Sequence, residues 1–281
     1  MARSSPVLEA ADPALAAAVV AGLATVERRL REVVTASHPM LDLAASHLVE
    51  AGGKRVRPLL ALLAAQLGDP TSPDVVDAAV VVELTHLATL YHDDVMDEAD
   101  VRRGAASANS RWTNTVAILT GDYLFARASD LTAGLGTEAT HLQSRTFARL
   151  VEGQISETAG PATGQDPVEH HLQVVADKTA SLFATSARLG AMAAGAPAAH
   201  VESAARFGEV IGTAFQLSDD LIDVLSETDA SGKTPGTDLR EGIPTLPVLL
   251  VLAGDAVTDS PASSRLRELL AGDLTDDALL A

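Results

Sequence analysis

The sequence predicts an all-α fold, and three observations carry that expectation. Hydrophobic residues make up 47% of the 281-residue chain but aromatics only 3%, so the core must be built from Ala, Leu and Val. Ala and Leu lead the helix propensity scale, and aromatic strand formers are scarce. Helix-start signals recur along the chain, each followed by apolar residues at three- and four-residue spacing. No segment alternates convincingly over the length of a strand.

The length allows one large core or two ordinary domains. Residues 1–11 read as a flexible tail and residues 12–281 as a single domain, a bundle of about ten or more helices. Asp12 and Pro13 open a periodic run to about residue 36. His38-Pro39 opens another that ends at Gly52-Gly53. Ser72-Pro73-Asp74 reads as an N-cap, a proline at the first helical position and a first-turn acid. Leu84, Leu87, Ala88, Tyr91 and Val95 then keep a helical rhythm. Asp166-Pro167-Val168-Glu169 is a capping-box variant that starts a helix towards Gly190. A further helix spans about 200 to 226, with Phe207, Ile211, Phe215 and Leu221 in its apolar pattern.

Composition excludes several classes of function. A net charge of −18 argues against nucleic-acid binding, which needs a cationic footprint. It leaves room for an anionic substrate on a local basic patch. Without cysteine there is no disulfide or thiolate metal site, so a metal would bind through oxygen or imidazole. No uninterrupted apolar run approaches a membrane span, and "MARSSPVLEAADPAL" lacks the apolar core of a signal peptide. The expectation is a cytoplasmic protein without stable membrane insertion.

Two stretches carry the chemistry. "YHDDVMD" places Asp93, Asp94 and Asp97 on one helix, and "QLSDDLID" repeats the spacing with Asp219, Asp220 and Asp223. Residues four apart share a helix face, so Asp93 pairs with Asp97 and Asp219 with Asp223, with Asp94 and Asp220 at the margins. A lone D-D-x-x-D in an acidic protein reads first as a solvated face. Two copies inside strongly apolar helices read differently, because carboxylates so grouped need cations between them. Mg²⁺ takes one or two carboxylates plus substrate phosphates. Basic segments supply the phosphate side: Lys54, Arg55 and Arg57 at a helix start, the Arg102-Arg103 pair, Lys178-Thr179, and Lys233 in the glycine-rich "SGKTPGTDLREG". Guanidinium forks match phosphate oxygens, and the last segment could be a lid.

Together "GGKRVRP", "LYHDDVMDEADVRRG", "GDYLFARA", "VEGQISE", "DKTASLF", "FQLSDDLID" and "GKTPGTDLREGIPTLP" closely resemble the trans-polyprenyl diphosphate synthases, in order, over about residues 20 to 250. The resemblance implies an all-α fold around a deep central cavity, a homodimer, and Mg²⁺-dependent elongation with three ions bound alongside substrate diphosphate. An allylic diphosphate (geranyl, farnesyl or geranylgeranyl) ionises, and isopentenyl diphosphate adds to the carbocation. Carried over, Asp93, Asp97 and Asp219 bind Mg²⁺, with Asp94, Asp220 and Asp223 in support. Lys54, Arg57, His86 and Arg103 hold isopentenyl diphosphate. Arg102, Lys178, Thr179, Gln216 and Lys233 hold the allylic diphosphate. His92 and the pair His170-His171 are left as structural or exposed.

Upstream of Asp93, the positions Thr85, Ala88 and Thr89 are small where short-product members tend to carry an aromatic at or beside Ala88. A long product follows, hexaprenyl to decaprenyl, as for a quinone side chain. The chain stops at Ala281 where members of the family usually continue, so their C-terminal helices are expected to be lacking. A class I terpene cyclase would mix Asn, Ser or Thr and Glu in its second motif. A catalytically silent partner subunit could lose the Asp and Lys residues that are all present here.

Overall fold

The side chain of Asp12 starts the first helix: its Oδ1 accepts from the amides of Ala14 and Leu15 at 2.9 and 3.2 Å, satisfying donors that the first turn leaves open. Helix α1 then runs Pro13–Val34, α2 Pro39–Glu50 and α3 Val56–Ala64, the last extended by a 3₁₀ turn, Ala65–Leu67. Helix α4 spans Asp74–Met96. A hairpin of two short strands, β1 Val101–Arg102 and β2 Ala105–Ala106, leads through α5, Ala108–Arg111, to α6, Asn114–Gly134. Helices α7 Thr137–Ala159, α8 Pro167–Val175, α9 Ser181–Ala193 and α10 Ala198–Leu225 follow, then α11 Leu246–Ala253 and α12 Pro261–Leu270. This computed structural model describes residues 12–225, 239, 242–254, 261–270 and 272. The expected tail at residues 1–11 and the segment with Lys233 lie outside the described residues.

The described residues cluster into two units, one of the chain up to Ala148 with Leu182–Gly208, the other of Arg149–Ser181 with the chain from Glu209 on. In the first, α4 packs against α6, α3 and α1. Leu84, Leu87, Ala88 and Tyr91 are fully buried, as their spacing predicts. Tyr91 ties α4 to α2: its hydroxyl donates to the Ala44 carbonyl at 2.5 Å and accepts from the Leu48 amide at 3.3 Å. Burial pushes that phenol well above its ordinary pKa. Small residues set the close approaches. A Cβ at Gly121 on α6 would stand 3.1 Å from the Ala88 carbonyl, and one at Gly190 only 2.1 Å from that of Ala61. In the second unit, α8 packs against α11, and α11 against α12.

Three sequence expectations need correction. Ser72 does not cap α4 with its side chain; helix α4 starts at Asp74, and Ser72 serves through its carbonyl, 3.2 Å from the Val75 amide. The helix from Asp166 does not continue unbroken to Gly190, because a wide π turn at Ala176–Ala180 interrupts it. In α10, Phe207, Ile211 and Leu221 are exposed. That helix approaches α9 through Ala204, Ala205 and Gly208 instead, where a Cβ at Gly208 would come within 2.6 Å of the Phe183 carbonyl. The expectation that no uninterrupted apolar run approaches a membrane span is not among these: α4 is long and apolar enough to cross a membrane by length and composition, but acidic residues interrupt it and 67% of the qualifying window is buried among other helices. Packing on all sides produces the same hydropathy as lipid.

Candidate active site

Three left-handed residues shape the turn after α2. Gly52 and Gly53 have φ of 83° and 148°, and Arg55, the cap residue of α3, has φ 48°. Lys54 is exposed and Arg57 half-buried, with the Arg57 guanidinium 5.0 Å from the centre of the Phe183 ring. Arg55 points inward. Its Nε donates to Glu27 at 2.5 Å, its Nη1 to Glu83 at 2.6 Å and its Nη2 to the Val49 carbonyl at 3.0 Å. Burial opposes its charge, yet the Glu27 and Glu83 carboxylates prevail and hold Arg55 above its ordinary pKa.

The hairpin after α4 brings the next two arginines to the same neighbourhood. Arg103, also left-handed at φ 54°, donates from Nη1 to the Leu48 carbonyl at 3.2 Å and to that of Gly52. Its Nη2 lies 3.5 Å from Glu83. Burial lowers its pKa against the pull of Glu83. Arg102 folds back onto the acidic motif: Nε donates to Asp94 at 2.5 Å and Nη2 lies 3.7 Å from Asp97. His86, on α4, is held well below its ordinary pKa by burial and then by Arg57, Arg103, Arg55 and Arg102. It is a neutral imidazole among cations.

The first acidic motif is split by its helix. Asp94 is fully buried, Asp93 half-buried, and Asp97 exposed as the C-cap of α4. His86 and Asp93 lie two turns apart, about 10 Å along the axis. The cations gathered around His86 are therefore followed, further along α4, by one half-buried and one exposed carboxylate. Upstream, Thr85 and Ala88 are fully buried. Thr85 accepts from Gln143 at 2.5 Å, and Ala88 lies at the contact with α6. Thr89 is half-buried, its hydroxyl donating to the His86 carbonyl at 2.8 Å.

In the second unit the π turn carries Lys178 and Thr179, and such bulges are frequent at functional sites. Gly153 on α7 makes room for it, since a Cβ there would stand 2.6 Å from the Lys178 amide nitrogen. Lys178 pairs with Glu157. Thr179 donates to Gln216 at 2.9 Å, and Gln216 donates to Asp220 at 2.9 Å. His171 Nε2 lies 3.5 Å from the other oxygen of Asp220. Asp220 and Asp223 are buried and Asp219 is half-buried.

Burial of Asp94 and Asp220 goes beyond the marginal placement read from helix spacing, because the hairpin brings Arg102 over Asp94 and α8 brings His171 over Asp220. Asp223, read on one face with Asp219, is buried while Asp219 is half-buried. Glu83, Glu157 and His171 were not singled out for this neighbourhood. The available signal for Glu83 was a lone acid inside the apolar run "AAVVVELTHL". Among the described residues, no three His, Asp or Glu side chains converge to hold an ion. The donors nonetheless suit Mg²⁺, which completes an oxygen shell with substrate phosphates rather than demanding a protein cage. One oxygen each of Asp94 and Asp220 is buried without a hydrogen-bond donor.

A family model, polyprenyl synthetase, matches residues 38–279. Nonaprenyl diphosphate synthase of Mycobacterium tuberculosis is 51% identical over 268 residues, 95% of this chain and 79% of that protein. Component 2 of the heptaprenyl diphosphate synthase of Geobacillus stearothermophilus is 41% identical over 236 residues, 84% of this chain and 74% of its own. Among solved structures, geranylgeranyl pyrophosphate synthase from Corynebacterium glutamicum, complexed with calcium and isoprenyl diphosphate, superposes with a TM-score of 0.83 at 48% identity, covering 96% of this chain and 81% of that one.

Proposed function

This chain belongs to the polyprenyl synthetase family and is a prenyltransferase, and on that premise we propose that it joins isopentenyl diphosphate to an allylic diphosphate to build a long all-trans polyprenyl diphosphate. The carrying observation is the sequence of charges along α4: cations around neutral His86, then half-buried Asp93 two turns on and exposed Asp97 a turn further. The first group suits a bare diphosphate, the second a diphosphate that arrives with metal.

In this reading Lys54, Arg57, His86 and Arg103 bind isopentenyl diphosphate. Arg102, Lys178, Thr179, Gln216 and Lys233 orient the allylic diphosphate for ionisation. Mg²⁺ held by Asp93, Asp97 and Asp219 would supply the charge that stabilises the departing diphosphate. Asp94, Asp220 and Asp223 act in support, each buried so that its neighbours keep their aim. Arg102 on Asp94 and Gln216 on Asp220 are the contacts that favour this division. The carbocation is quenched by water, so apolar side chains must exclude solvent from the reacting carbons.

Small residues at Thr85, Ala88 and Thr89 favour a long product, with a quinone side chain as its use: half-buried Thr89 is the position open to the growing chain, and Thr85 and Ala88 are buried beside it without bulk. Three Mg²⁺ ions, a homodimer and a cytoplasmic location complete the proposal. The decisive assay offers radiolabelled isopentenyl diphosphate with farnesyl diphosphate and Mg²⁺. Elongated prenols are expected. A cyclic hydrocarbon would make the protein a cyclase. No product from the folded chain alone would favour a partner subunit, a reading raised by the relative named as one component of a synthase.

A further inference from the structure

Of the non-glycine residues described with left-handed backbone, two are arginines, Arg55 and Arg103, and the other is Glu98. That conformation is disfavoured for an L-residue because Cβ crowds the following carbonyl, so something must hold each arginine there. Both reach one carboxylate. Glu83 Oε1 takes Arg55 Nη1 at 2.6 Å and stands 3.5 Å from Arg103 Nη2, and Glu83 is only 1% exposed.

We infer that Glu83 is the positioning residue of the isopentenyl diphosphate subsite, a single buried anion that locks the turn at residues 52–57 and the hairpin turn at residues 102–104 into one rigid body. The inference rests on the reading of Lys54, Arg57, His86 and Arg103 as that subsite. Arg55 lies between Lys54 and Arg57 in the chain, so fixing its backbone and its guanidinium sets the direction in which both flanking cations leave the turn. Arg103 lies across the same turn: a Cβ at Gly53 would come within 2.9 Å of its Cζ, and its Nη1 bonds the Leu48 and Gly52 carbonyls. Glu27 takes the other edge of Arg55, which leaves Glu83 as the charge shared by both turns.

Stability alone is a poor reason for this arrangement. A buried carboxylate and its guanidiniums lose much of their Coulomb gain to desolvation, and apolar side chains of similar volume often serve a fold equally well. Aim is a better one. Arg55 and Arg103 stand close enough for each to oppose the other's charge. With Glu83 gone, Glu27 still neutralises Arg55 from its other edge, but no carboxylate stands between the two guanidiniums where an incoming diphosphate needs Arg103 and Lys54 already in place.

The test measures binding, so it does not depend on turnover. Affinities for isopentenyl diphosphate and for farnesyl diphosphate in Mg²⁺ buffer are measured by calorimetry on the full chain, beside thermal unfolding. Glu83→Asp keeps the charge but withdraws it by about 1.5 Å; Glu83→Gln keeps the shape and removes the charge. The expectation is that Glu83→Asp weakens isopentenyl diphosphate about tenfold and Glu83→Gln more, with farnesyl diphosphate changed less than about twofold. Arg57→Ala is the reference for the subsite itself. If Arg57→Ala weakens isopentenyl diphosphate while folded Glu83 variants do not, the positioning role is overturned and the subsite stands. If neither the native chain's affinity nor its loss in Arg57→Ala is seen, the subsite reading falls and the inference with it. Equal weakening of both ligands, or failure of both Glu83 variants to fold, would make Glu83 a structural ion and also overturn it.

Discussion

The two acidic motifs share a spacing and differ in what surrounds them. In both, the first aspartate (Asp93, Asp219) is half-buried and the second (Asp94, Asp220) is buried against a donor. On α4 that donor is a guanidinium, Arg102, delivered by a hairpin eight residues later. On α10 it is the amide of Gln216, one turn earlier on the same helix, with His171 beyond. The third aspartate diverges as well. Asp97 caps its helix and is exposed, whereas Asp223 is buried before its helix ends. Identical spacing therefore yields a charged, hairpin-dependent anchor in one copy and a neutral, helix-internal one in the other.

The largest expected effect tests what the copies have in common. Asp93→Ala and Asp219→Ala should each lower product formation by at least about 10²–10³-fold, the scale of losing one electrostatic contact to a developing charge. Their folds should be intact by circular dichroism. Near-normal elongation by either at saturating Mg²⁺ would break the symmetry and confine the metal role to the other motif.

The next contrast sharpens the difference in anchors. Arg102→Ala strands a buried carboxylate and should destabilise the protein by about 3 kcal/mol. Gln216→Ala leaves Asp220 with His171 and should cost about 1–2 kcal/mol. Urea denaturation reads both. Equal losses would mean that the guanidinium is no stronger an anchor than the amide.

A third contrast lies within α4. Thr89 is half-buried, while Ala88 is sealed against α6. Thr89→Phe should shorten the released prenols, as resolved by thin-layer chromatography. Ala88→Phe overpacks the α4–α6 contact and should cost about 1–3 kcal/mol. Shortening by a stable Ala88→Phe protein, with Thr89→Phe unchanged, would exchange their roles.

The smallest effect concerns His86, which has no counterpart near the second motif in the proposed assignment. Its folded pKa lies well below the ordinary 6.5, so below that pH the unfolded chain takes up a proton that the folded chain refuses. Its contribution to stability is whole above pH 6.5 and falls as the pH drops through that value. His86→Gln should flatten the decline in stability between pH 7.5 and about 5.5. An unchanged slope would remove His86 from the cationic cluster.

Much of the fold was legible because its signals are local. Asp12, Asp166 and the three- and four-residue rhythm of Leu84, Leu87 and Tyr91 act within one or two turns, and the helices begin and bury their faces accordingly. The limits of local reasoning appear at α10, where Phe207 and Ile211 follow the rhythm yet are exposed. Ala204, Ala205 and Gly208 permit an approach that larger side chains forbid. The same division runs through the site. Spacing alone put two carboxylates on each face and cations nearby, because a helix repeats every 3.6 residues whatever its surroundings. Only the tertiary structure decided which of those charges faces solvent and which is spent inside. Arg55 turns inward to Glu27 and Glu83, 28 residues away on either side, and Arg102 returns to Asp94 through a hairpin. Pairings of that kind depend on which helices touch, and a buried charge is tolerable only where a partner from another element meets it.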